Sequence, residues 1–149
     1  CFSLIEAVRD LASPTGQWPE AIHPRTRGGC MGDGQHVWAA AEWLIMLRHC
    51  FVYEQDDRLV IGAGLPMEWT TGERPMSLGP TLTPYGPVGI EVQPGDGETT
   101  VHWAGEWRGD PPKVLVRLPG FQQATVAGDA GRVTVAPGAG QPKAKESVT

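Results

Sequence analysis

The sequence predicts an α+β chain, with a helical first third followed by an antiparallel β-sandwich-like domain. Three observations predict it. Phe2, Ile5, Val8, Leu11 and Ala12 recur at helical spacing. A second apolar segment, Val37 to Phe51, is long and carries apolar residues on more than one helical face. Beyond Glu54 the period changes, and short β-prone runs alternate with turns rich in Gly, Pro and Asp.

Each element follows from local chemistry. The first helix, expected over Phe2 to Ala12, ends at Ser13-Pro14, because proline disfavours helical geometry in the residue before it. Thr15 to Gly34 reads as a long loop holding Pro19, Pro24, Gly28, Gly29, Gly32 and Gly34. Structureless loops of that length are often functional. Asp33 or Gly34 caps the next helix, expected over Gln35 to Val52. Arg48 and His49 suit the negative end of its dipole. A helix that is apolar nearly all round is buried among several helices. Two helices cannot cover it, so the chain is expected to be part of a longer protein.

Glu54 to Asp57 reads as a polar turn and Arg58 to Ile61 as a strand. Gly64-Leu65-Pro66 with Trp69 is expected to be a turn packed by aromatics. Val88 to Val92 and Thr99 to Trp103 flank the turn Gln93 to Gly97 and form a hairpin. Val114, Val116 and Leu118 alternate with Lys113, Leu115 and Arg117. Ala124 to Ala127 and Arg132 to Val135 flank a further turn, Gly128 to Gly131. From Pro137 the composition predicts a disordered tail. The expected organisation is 1–54 helical, 55–136 an antiparallel β-domain, and 137–149 a tail.

Composition excludes several classes. With 40% hydrophobic and 19% charged residues the chain is globular and not disordered. Net charge is −5, and the only basic cluster is Arg25 with Arg27, so no nucleic-acid partner is expected. No apolar run reaches the ~20 residues of a membrane span. The longest, Val37 to Leu47, is broken by Glu42, so no membrane partner is expected either. Three cysteines do not make a disulfide framework. Whether the protein is cytoplasmic or secreted stays open.

Three stretches resemble the C-terminal end of the six-hairpin glycosidases, the (α/α)6-barrel enzymes that include glucoamylase and α-L-rhamnosidase-like hydrolases. The first is Trp18-Pro19-Glu20, with Thr26, Gly28 and Gly29 beyond it and the helix opening His36-Val37-Trp38-Ala39-Ala40. Ala21 stands where glucoamylases carry Gln. The second is Leu59-Val60-Ile61 with Gly64-Leu65-Pro66 and Trp69. The third is Leu82-Thr83-Pro84-Tyr85-Gly86-Pro87-Val88, similar to a segment of the C-terminal β-domain in rhamnosidase-like enzymes. The resemblance implies that residues 1–54 are the last helical hairpin of an (α/α)6 barrel, with an active-site loop. It also implies a carbohydrate substrate and an N-terminal barrel portion as partner. Glu20 is then the general base, in an enzyme whose acid lies upstream. Alone, the 149-residue chain would be inactive.

Each candidate residue has a plainer alternative. Glu20 could stiffen its loop through Arg25 or Arg27. Asp33 suits a helix cap better than a catalytic role. Glu42 lies within an apolar helix, where a buried carboxylate is costly unless paired; it could line the barrel interior and touch substrate, or pair with a missing helix. Trp18 and Trp38 are candidate sugar-stacking platforms; core packing is the alternative, and it fits Trp38 better than Trp18. Trp43, Trp69, Trp103 and Trp107 read as core or lobe-interface residues. His23 or His36 could hydrogen-bond a sugar hydroxyl. The spacing of His23, Cys30 and His36 matches no zinc pattern, so neither metal nor cofactor is expected. Gly32-Asp33-Gly34 lacks the preceding strand and the lysine of an anion-binding loop. The competing function is a noncatalytic carbohydrate-binding or structural module built on the β-domain.

Overall fold

The computed structural model describes residues 2–32 and 34–139. The fold is α+β, with sheets outweighing helices. The chain divides into two units, Cys1–Leu47 and Arg48–Thr149.

In the first unit, α1 spans Phe2–Asp10. Its end tightens into bonds from Leu11 N–H to Val8 O (3.2 Å) and Ala12 N–H to Arg9 O (3.1 Å), the geometry with which helices often close. The stretch expected to be structureless contains a small antiparallel pair. β1, Ala21–Ile22, runs against β2, Gly29–Met31, in the register Ala21 with Met31 and Ile22 with Gly29. Trp18 is the buried anchor of this unit at 7% exposure. Its indole N–H donates to Val8 O at 2.8 Å, and its ring lies 5.3 Å from that of Trp43. One side chain thus links α1 to α2, which spans Val37–Phe51. Asp33, an expected cap, lies outside the described residues.

The second unit begins in the last turn of α2. Gly62 N–H donates to Phe51 O (2.7 Å) and Gly64 N–H to Cys50 O (3.2 Å). The change of unit therefore falls before the change of period near Glu54. β3, Val52–Gln55, follows the helix at once, and β4 is Arg58–Ile61. The expected four-residue turn narrows to Asp56-Asp57, with Asp56 at φ 55; aspartate tolerates that left-handed conformation better than most residues.

The first four-stranded sheet has the order β3-β4-β8-β9, where β8 is Lys113–Val116 and β9 is Ala124–Ala127. One expectation fails here. β4 and β8 are parallel, in register from Arg58 with Lys113 to Ile61 with Val116. Leu59 to Ile61 and Val114 to Val116 are all buried, so the predicted alternation at Val114, Leu115 and Val116 is absent. Parallel strands covered on both faces read as continuous apolar runs.

The second sheet, β10 (Arg132–Val135), β7 (Thr99–Gly105), β6 (Gly86–Pro94) and β5 (Met76–Thr83) in that order, is antiparallel throughout. β6 (Gly86–Pro94) and β7 (Thr99–Gly105) form the expected hairpin, longer at both ends. Val88, Ile90, Val92, Val101 and Trp103 alternate into the core. β5, Met76–Thr83, was not foreseen as a strand; its register shifts between Leu78 and Thr81, around Gly79-Pro80. Glycine and proline mark such bulges. Before it, the expected turn forms at Gly62 to Leu65, where Leu65 N–H donates to Gly62 O at 3.2 Å, and α3 (Met67–Thr70) follows it; Trp69, read as a core or lobe-interface residue, is 48% exposed and so not core.

The two strands that flank the turn at Gly128 to Gly131 part company. β9 pairs with β8, whereas β10 (Arg132–Val135) pairs with β7. A single turn of 3-10 helix, Gly128–Ala130, carries the chain between the two sheets. Trp103 holds it there, its indole N–H donating to Gly128 O at 2.6 Å. A Cβ at Gly128 would fall on the Pro112 carbonyl oxygen, so the close approach requires glycine. Pro137 and Gly138, expected in the tail, are paired: Phe121 bridges Pro137, and Gly138 N–H donates to Gly120 O at 2.8 Å. Residues 140–149 lie outside the described residues. No described helix is long and apolar enough to cross a membrane.

Candidate functional site

Glu20 immediately precedes β1. Its N–H donates to Met31 O at 3.0 Å, which fixes its backbone across the small hairpin. Gly32 packs against it: a Cβ there would lie 3.1 Å from Glu20 N, and φ is +75. A side chain at position 32 would therefore be strained twice over. The Glu20 carboxylate is exposed. Among the described residues it forms no ion pair with Arg25, Arg27 or any other cation.

His23 builds the turn between β1 and β2. Its Nδ1 accepts the N–H groups of Arg25 and Thr26, each at 3.3 Å. Its backbone N–H donates to Gly28 O (2.9 Å), and its carbonyl accepts from Arg27 N–H (2.8 Å). With Nδ1 accepting, the neutral ring carries its proton on Nε2. His36 is anchored through its backbone, donating to Trp18 O at 2.9 Å. Its Nε2 is buried and lacks a hydrogen-bond partner among the described residues.

The two candidate stacking rings exchange places relative to the expectation. Trp18 is buried between α1 and Trp43, whereas Trp38 is 66% exposed. The Trp38 indole N–H donates to Glu42 Oε1 at 3.0 Å, so Glu42 finds its partner one turn away on its own helix. His36 and Trp38 have ring centroids 6.2 Å apart. A concavity of about 400 Å³ in the same unit is bordered by Ser13, Gln17, Pro19, Gly29 and Gly32 among others. None of the five candidate residues lines it, although Glu20 follows Pro19 and packs on Gly32. Cys30 is a free, exposed thiol. Among the described residues no three His, Cys, Asp or Glu side chains converge as metal ligands.

A second polar constellation lies wholly in the other unit. His49, Tyr53, Glu54, Ala63, Gly64 and Arg117 line a cleft of about 420 Å³. Arg48 grips Glu54 with both ends of its guanidinium (2.5 and 3.2 Å) and also donates to Leu82 O at 2.8 Å. Burial pushes the Glu54 carboxyl up. The Arg48 hydrogen bonds, a backbone hydrogen bond and the Arg48 and His49 charges outweigh it and hold the group below its ordinary value. Arg117 donates to the Tyr53 hydroxyl. Cys50 is buried nearby in the chain, and burial pushes its thiol up. Arg48 and His49 were legible only as dipole partners, and Glu54 only as a turn residue. Arg117 reaches Tyr53 because β3, β4 and β8 are neighbours, which local pattern does not encode.

No protein-family model matches the chain, no curated protein is detectably similar to it, and no solved structure resembles it.

Proposed function

We propose that this chain forms part of a glycoside hydrolase of the six-hairpin type, with Glu20 as its general base. In this reading residues 1–54 hold the last helical hairpin of an (α/α)6 barrel, and an N-terminal barrel portion completes the site. The carrying observation is that the Glu20 carboxylate is exposed and, among the described residues, forms no ion pair, on a backbone held by β2. A carboxylate serving only to stiffen its loop would pair with Arg25 or Arg27. Val37, Trp38, Leu44 and Ile45 on α2 also stand exposed. Such a face is suited to burial against neighbouring helices.

The chemistry divides between two carboxyl groups. Glu20 takes a proton from the water that attacks the anomeric carbon. An acid supplied by the barrel portion, its carboxyl ~6.5–9.5 Å from that of Glu20 in an inverting enzyme, protonates the leaving oxygen. Trp38 offers an open ring face to a sugar, and His23 offers Nε2–H to a hydroxyl. His36 brings an unsatisfied Nε2 that a polar ligand atom would complete. Trp18 acts indirectly, by holding the loop through α1 and Trp43.

The test is Glu20→Gln in the full-length reading frame, assayed on a panel of aryl glycosides with binding measured separately. Turnover should fall at least ~10³-fold while substrate still binds. Retained turnover would sink the assignment of the base. A second reading, a noncatalytic carbohydrate-binding module, is favoured by the complete apolar core that Arg48–Thr149 carries by itself. It predicts saturable glycan binding that Glu20→Gln leaves unchanged.

A further inference from the structure

The cleft lined by His49, Tyr53, Glu54, Ala63, Gly64 and Arg117 has an electrostatic imbalance. Its one carboxylate, Glu54, is already matched by two hydrogen bonds from Arg48. Arg117 has no such match: among the described residues no carboxylate lies within ion-pair distance of it. Arg117 is half-buried, and among the described residues its guanidinium has one acceptor, the Tyr53 hydroxyl. A guanidinium carries five N–H donors, arranged to match a planar or tetrahedral oxyanion. None of the remaining N–H groups of the Arg117 guanidinium is buried without a partner, so they are open to an oxyanion, which would accept them in charge-assisted hydrogen bonds.

The walls leave room for one. Gly64 contributes bare backbone to the lining. Ala63 is small, and the Gly64 N–H is already bonded to Cys50 O. The backbone of Arg117 is fixed by its N–H bond to Ile61 O at 3.0 Å, which continues the parallel β4–β8 pairing. Tyr53 meets the guanidinium from β3, so the fork is oriented before any ligand arrives. The volume, about 420 Å³, lies within the ordinary range of small-molecule sites.

We propose that this cleft binds a compact oxyanion, a carboxylate or a phosphate group, on the Arg117 guanidinium, with Tyr53 orienting it and His49 at the rim. The site lies entirely within Arg48–Thr149 and stands independently of the Glu20 reading.

The test is an amide NMR titration of the 149-residue protein with acetate, inorganic phosphate and acetamide, at constant ionic strength held with chloride. Acetate or phosphate should give saturable shifts at Ala63, Gly64 and Arg117, and neutral acetamide should not. Saturation by acetate alone identifies a carboxylate site, and by phosphate alone a phosphate site. Arg117→Gln should weaken binding by about 10-fold or more. Arg132→Gln, an equal change of net charge on β10, should leave it unchanged. Equal binding by Arg117→Gln and wild type, or equal shifts from acetamide and acetate, would overturn the proposal. So would the absence of saturable shifts from either anion on the wild-type protein, however the variants fold.

Discussion

At the scale of single residues, the Arg48–Glu54 pair carries the clearest pH signature. Its side chains are 17% and 28% exposed, so screening discounts it only in part. Glu54→Gln should cost ~1–2 kcal/mol at neutral pH, read by urea denaturation. The sign follows from the depressed carboxyl. Stability from Glu54 is present above the ordinary glutamate value of ~4.3 and is lost as pH falls through the lower folded-state value. The gap between wild type and Glu54→Gln should therefore narrow on acidification to about pH 3. A gap that widened would mean that the carboxylate is destabilising. Gly86 supplies a backbone test. It sits at φ +126, and a Cβ there would fall on the Glu106 carbonyl oxygen. Gly86→Ala should lose more than ~2 kcal/mol, whereas Gly97→Ala, with open space around it, should lose only ~1 kcal/mol from its positive φ.

At the scale of elements, one indole holds the first unit together. Trp18 bonds α1 through Val8 O and packs on Trp43 of α2. Trp18→Ala should cost ~3–5 kcal/mol within that unit and release the α1 amides to fast hydrogen exchange. Trp18→Phe keeps bulk but forfeits the indole bond, and should cost ~1 kcal/mol beyond the volume change. The apolar face of α2 answers to a different logic. Leu44 is 66% exposed, so Leu44→Lys should leave the chain's stability within ~0.5 kcal/mol. If that face seats barrel helices, the same change should abolish activity of the full-length protein while sparing the fold of these 149 residues. Full activity in Leu44→Lys would remove the main structural support for the barrel reading.

At the scale of the whole molecule, the two units differ in how much apolar surface they bury. Among the described residues of Cys1–Leu47, Trp18 is the one buried hydrophobic side chain, whereas Arg48–Thr149 contains the rest of the core. Native-state hydrogen exchange should therefore show two free-energy levels. Amides of β4 and β8, buried on both faces, should exchange only by global opening of their unit, and those of α1 by local opening. Uniform protection across both units would contradict this.

What the sequence by itself determined was the local content of each segment. Helical spacing located α1 and α2 to within a few residues, and the apolar run Arg58 to Ile61 is β4 as read. The turn at Gln93 to Gly97 sits inside the β6–β7 hairpin because its chemistry is contained in five neighbouring residues. Glu20 was legible as a candidate from its loop; its freedom from Arg25 and Arg27 was not, since ion pairing depends on where side chains point. Tertiary structure decided the rest. Period-two patterns say which face of a strand is buried and nothing about its neighbour. Hence β9 and β10, one turn apart in sequence, belong to different sheets, and β4 found a parallel partner some fifty residues on. The same holds for the indoles: Trp18 and Trp38 look alike as letters, and only packing against Val8 and Trp43 makes one a core residue and leaves the other open to solvent.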